Sequence, residues 1–120
     1  MIRTPQEMTI DQRAQMRGGT GTVTIEHLLN QSDFSPGANC RLCAKLTLPP
    51  GASIGPHEHL TEDEVYYITA GEGLLDDGET QTRVTVGDAI LTGNGASHSI
   101  ANTGETDLEF LAVIVCYGDA

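Results

Sequence analysis

Three histidines and a glutamate stand at spacings that matter if their segments are strands: His57, His59 and Glu64 within eight residues, and His98 further along. Side chains two apart on a strand share a face, with Cα atoms roughly 6.5 Å apart, so His57 and His59 can both reach one ion while Glu58 faces away. Leu60-Thr61-Glu62-Asp63 is a polar link able to turn the chain and bring the Glu64 carboxylate back to the same point. His98 follows a hairpin signal at Asp77-Gly78, so a neighbouring strand can place it opposite the first three. Three imidazoles and one carboxylate form a borderline-hard donor set that accepts manganese, iron, cobalt, nickel, copper or zinc, and affinity alone does not choose among them. The competing reading, ordinary polar strand residues with no ion, leaves polar groups unpaired wherever they are buried, at a cost of several kcal/mol.

The elements that must position these residues read as strands. From about residue 21 onward, short alternating runs are separated by Gly, Asn, Asp and Pro, an all-β pattern. Val23, Ile25, His27 and Leu29 share one face of a first run, and Leu42, Ala44, Leu46 and Leu48 one face of a second. Val84 and Val86 also read as interior positions. Asn102-Thr103-Gly104 marks another reversal. The last run, Leu108 to Tyr117, is apolar on both faces, as for a strand covered on both sides by a second sheet or a partner subunit; a homodimer is expected. Only Gln6 to Arg17 has helical potential, with Gly18-Gly19 as its stop and weak amphipathicity. Residues 1–20 are read as an N-terminal arm and 21–120 as one domain, a size that supports a single core.

The segment GASIGPHEHLTEDEVYYITAG, Gly51 to Gly71, fits the first cupin motif, G-x5-H-x-H-x4-E-x6-G, at every defined position. Gly87 to Asn102, GDAILTGNGASHSIAN, resembles the second, G-x5-P-x-G-x2-H-x3-N, with Gly87, Gly95, His98 and Asn102 in place and Gly93 where that family has proline. The departure at Gly93 is expected to loosen a turn without removing a ligand. The resemblance covers roughly residues 41 to 116. It implies a cupin double-stranded β-helix, a jelly-roll barrel holding one divalent transition metal per chain on His57, His59, Glu64 and His98. An octahedral ion with four protein ligands keeps two positions for water or substrate. The family contains isomerases, dioxygenases, decarboxylases, lyases and non-catalytic binders, so the fold does not name the reaction. The leading expectation is a metalloenzyme acting on a small oxygenated substrate, a sugar or a carboxylate; a binding or sensor module is the alternative.

Other residues carry weaker signals. Tyr66 shares a strand face with Glu64, where a phenol can orient a substrate or act as an acid, packing being the plainer reading. His27 sits on an apolar face, as a satisfied core histidine or a proton carrier. Glu62 is read as a solvated loop carboxylate or an outer base. Cys40 and Cys43 form a C-x2-C, but residues three apart on a strand face opposite sides and no second pair follows, so both read as ordinary thiols. With 17 acidic residues against 6 basic, the net charge of −11 disfavours nucleic acid and anionic lipid as partners and leaves a small molecule. No secretory signal or membrane span is read, and the expected location is the cytoplasm.

Overall fold

The computed structural model describes residues 1–118 and holds ten strands in two antiparallel sheets. Strands β1 (Thr9–Ala14), β2 (Thr22–Leu29), β3 (Cys40–Leu48), β5 (Glu62–Ala70), β8 (Ala89–Gly93) and β10 (Leu108–Cys116) form one sheet, in the order β1-β2-β3-β10-β5-β8. Strands β4 (Ser53–Glu58), β6 (Glu72–Asp76), β7 (Gln81–Thr85) and β9 (Ser97–Asn102) form the other, in the order β4-β9-β6-β7. The sheets face one another as a jelly roll. Their inner faces supply Val23, Ile25, Ala44, Leu46, Leu48, Ile54, Ile68, Val84, Ile100 and Phe110, all buried in one core. That burial of aliphatic surface is the main favourable term, at roughly 25 cal/mol per Å².

The alternation in β3 is realised: Ala44, Leu46 and Leu48 are buried, and Leu42 packs against the core. In β2 Val23 and Ile25 are buried, while His27 lies half-buried towards the end of the strand. Asp77-Gly78 does turn a hairpin, with the Asp77 N–H donating to the Thr80 carbonyl at 3.2 Å and Gly78 at φ +93°. Strand β10 runs through the middle of its sheet, between β3 and β5. Its inward residues Leu108, Phe110, Ala112 and Ile114 are buried, whereas Val115 on the opposite face is 48% exposed. No second layer of the chain covers that outer face among the described residues.

Two expectations are corrected. No continuous helix spans residues 6–17: short 3₁₀ turns at Pro5–Glu7 and Met16–Gly18 flank Thr9–Ala14, which is strand β1, paired in register with β2 from Thr9↔His27 to Ala14↔Thr22. A helix there lacks an apolar face to bury, whereas the strand satisfies the N–H and C=O groups of β2's open edge. Val86, expected inside with Val84, is 59% exposed. It lies past the end of β7, where Gly87 at φ +93° turns the chain and the pleat no longer alternates.

Candidate metal centre

Strands β4, β5 and β9 bring the four sequence-predicted residues together. His57 in β4 sits directly opposite His98 in β9, His59 follows the end of β4, and Glu64 comes from β5 across the mouth of the jelly roll. His59, Glu64 and His98 are buried and His57 is half-buried. Their ligand atoms all lie within 4.8 Å of one another.

The protonation pattern follows from what each Nδ1 faces. His57 Nδ1 is 2.8 Å from the Gly55 carbonyl, which can only accept, so Nδ1 carries the proton and Nε2 turns its lone pair into the cluster. His59 Nδ1 faces Glu62 Oε2 at 3.4 Å, within ion-pair range but outside hydrogen-bond geometry. Burial raises the Glu62 carboxyl, but the Arg41 guanidinium, gripping it at 2.8 and 3.1 Å, outweighs this and leaves it below the usual carboxylate range. Glu62 is therefore a carboxylate oriented behind a histidine, an arrangement that fixes ring tautomer and raises ligand basicity in metal sites. Burial pulls the His57 imidazole below its ordinary value, which favours the neutral, ligating form.

The donor atoms fit an ion. His98 Nε2 lies 3.0 Å from His57 Nε2, and 3.0 Å from His59 Nε2. Glu64 Oε1 is 3.0 Å from both His59 Nε2 and His98 Nε2, yet it makes no hydrogen bond. For donors about 2.1 Å from an ion, right-angled neighbours lie about 3.0 Å apart and tetrahedral neighbours about 3.4 Å. The observed contacts match a right-angled set. A buried carboxylate oxygen without a hydrogen bond costs about 1–3 kcal/mol or more, a cost that a cation at this point removes.

Tyr66 stacks on His98, with ring centroids 4.9 Å apart and 18° between planes, and its hydroxyl is 3.5 Å from His98 Nε2. Complete burial, then the Glu64 carboxylate, push the phenol well above its ordinary value. It keeps its proton at neutral pH.

A cavity of about 100 Å³ adjoins the cluster, floored by His59, Glu64 and Tyr66 and walled by Arg13, Arg17, Arg41 and His27. Leu42 and Leu46 line it as the aliphatic interior read from the sequence, with Ile25 and Ile114; the three arginines are what sequence reasoning missed. Arg13 and Arg17 arrive because β1 pairs with β2 and the following turn, Met16–Gly18, folds over the mouth. The signal in the sequence is that three of the six basic residues, Arg3, Arg13 and Arg17, fall in the first twenty positions of an acidic chain, but the destination of the last two depends on a non-local strand pairing. His27 hydrogen-bonds Asp11 on β1, Nε2 to Oδ2 at 2.8 Å, a satisfied histidine at the cavity rim. A larger groove of about 290 Å³, lined by Thr20, Ser53, Leu74, Gln81 and Ser99 among others, touches none of the four clustered residues.

Gly93 corrects a further expectation. The turn after it is tied rather than loosened: Asn94 N–H donates to Tyr117 Oη at 2.9 Å, and Tyr117 donates to Asp63 Oδ1 at 2.5 Å. A Cβ at residue 93 would collide with the Asp63 side chain, so glycine is what this packing admits. The cysteines stay ordinary: Cys40 is buried, Cys43 and Cys116 are partly buried, and burial pushes the Cys40 and Cys43 thiols up.

Residues 44–114 match the cupin domain model. The chain is a cupin. This cupin is 46% identical over 115 residues to the oxalate-binding protein of Thermotoga maritima, covering 96% of this chain and 93% of that protein. It superposes with a TM-score of 0.91 and 44% identity on a crystal structure from Thermotoga maritima described as a predicted oxalate decarboxylase, covering 98% and 100% of the two chains. A polyketide cyclase from Streptomyces resistomycificus shares the fold at TM-score 0.76 and 24% identity, over 98% of this cupin and 80% of the cyclase.

Proposed function

We propose that this cupin binds a small chelating carboxylate of the oxalate class at a divalent metal held by His57, His59, Glu64 and His98. The observation that carries the reading is the cavity of about 100 Å³ floored by His59 and Glu64. That is well below the roughly 300–1,000 Å³ of sites for drug-sized ligands, a space for a compact acid rather than a sugar nucleotide. The Thermotoga maritima relative named as oxalate-binding supports the same choice. When bound, the ion would supply Lewis acidity and coordination positions for carboxylate oxygens. The chain's own residues do the rest. Gly55 and Glu62 orient two imidazoles from behind, and Tyr66 stacks against the third. The hydroxyl of Tyr66 is placed at the cluster to donate to a ligand oxygen. Binding is preferred to turnover because, among the described residues, no free carboxylate beyond the cluster lines the cavity as a proton acceptor; Glu62, behind it, is clamped by Arg41.

Isothermal titration calorimetry tests this. Manganese-loaded protein should bind one oxalate per chain, and a His57→Ala, His98→Ala double variant should bind none. Loaded wild-type protein that gives no heat with oxalate would overturn the reading. Loss of oxalate over time, with formate and carbon dioxide appearing, would replace binding by decarboxylation.

A further inference from the structure

Six basic residues serve a chain with 17 acidic ones, and the structure spends four of them on ion pairs. Arg3 meets Asp33, Arg41 meets Glu62, Lys45 meets Glu26 and Glu109, and Arg83 meets Glu72. Among the described residues the remaining two, Arg13 and Arg17, have no carboxylate within ion-pair distance, and both line the cavity over His59 and Glu64. In so acidic a chain, two unpaired guanidiniums at one cavity make an electropositive wall where the rest of the surface repels anions.

The backbone fixes this wall to the cluster. Arg17 adopts a left-handed conformation, φ 55° and ψ 31°, which is uncommon for a side chain of its size and needs support from its surroundings. The support comes from β4. The Thr20 carbonyl accepts from Ser53 N–H at 2.8 Å, and Ser53 Oγ accepts from Thr20 N–H at 2.9 Å. Gly19 and Gly55 allow the turn and β4 to approach more closely than any Cβ would permit, so Arg17 is braced against the strand that carries His57.

We propose that Arg13 and Arg17 form an anion clamp that makes this cupin selective for dianionic, two-carboxylate ligands over monoanions of the same size and chelating geometry. The proposal rests on the binding function proposed above and deepens it. A monocarboxylate can satisfy the metal alone. The second carboxylate of a dianion turns its outer oxygens towards the mouth, where guanidinium N–H groups make charge-assisted, bidentate hydrogen bonds. Arg13 and Arg17 are specificity-determining residues here, not catalytic ones.

The test compares oxalate with glycolate, which chelates through adjacent oxygens but carries one negative charge, by titration calorimetry on the manganese-loaded full-length protein. Wild type should prefer oxalate by at least about tenfold, the scale of one charge-assisted hydrogen bond. The Arg13→Gln, Arg17→Gln double variant should keep its metal content and weaken oxalate binding by at least about tenfold more than glycolate binding, leaving only the metal's own preference for a dianion. Arg13→Lys with Arg17→Lys should recover part of it by charge alone, and raising salt should erode it in wild type. An unchanged preference in the Gln variant overturns the clamp while leaving metal-dependent binding standing. Equal loss of both ligands shows that the arginines merely hold the site together and also overturns it. Wild-type protein that binds neither acid overturns both the clamp and the function on which it rests.

Discussion

Gly55 joins the two halves of the binding mouth through its backbone. Its carbonyl accepts a hydrogen bond from His57 Nδ1, turning Nε2 towards the cluster, and its missing side chain leaves room for the Arg17 carbonyl. A Cβ at this position would bring the Arg17 carbonyl carbon to 2.9 Å and the Gly19 nitrogen to 3.1 Å, so the turn bearing Arg17 must move. Gly55→Ala should therefore cost about 1–3 kcal/mol, the usual range for forcing extra volume into a packed site. Thermal unfolding of metal-free protein measures it, and an unchanged melting temperature contradicts the close packing. The His/Glu set was legible in the sequence because strand geometry and motif spacing are local properties. Gly93 was not: its glycine answers to the side chain of Asp63, which is 30 positions away in sequence and opposite it across two paired strands.

At the scale of elements, β1 changes what the mouth contains. As a strand on the edge of the six-stranded sheet it delivers Arg13 and the Arg17 turn to the cavity and sets Asp11 against His27, and a helix over 6–17 would deliver none of them in this way. Periodicity could not reveal this, because what decides between strand and helix is the open edge of β2, a partner that lies beyond any local window. The residues before β1 are held by Arg3 and Asp33, whose side chains meet at 2.6 and 3.1 Å. The Arg3 hydrogen bond, then the Asn30 N–H, hold the Asp33 carboxyl below its ordinary value. A depressed carboxyl contributes stability that is present above its unfolded value and lost as pH falls through its folded value. Protection of the Glu7 and Met8 amides, measured as exchange relative to the intrinsic rate at each pH, should thus be high at neutral pH and fall in acid below the ordinary aspartate range. Asp33→Asn should show the low protection already at neutral pH; equal protection in the variant would mean that the ion pair does not hold the segment.

At the scale of the whole molecule, an apolar row lies on the outside of the six-stranded sheet. The outward row Val113, Val65 and Leu91 runs side by side across β10, β5 and β8, with Val65 38% and Leu91 69% exposed. The homodimer anticipated from β10's second apolar face would use this row. Sedimentation equilibrium should then give a two-chain mass that falls to one chain in Val65→Lys, Leu91→Lys, whereas a one-chain mass for wild type contradicts the dimer. No helix among the described residues is long and apolar enough to cross a membrane. The account as a whole depends on the four converging donors, and elemental analysis of untagged protein, purified without added metal and again after reconstitution, tests them most directly. Close to one transition metal per chain in wild type, with none in the His57→Ala, His98→Ala variant, is the predicted result. Wild-type protein that stays metal-free after reconstitution, or a variant that holds as much metal as wild type, would contradict it.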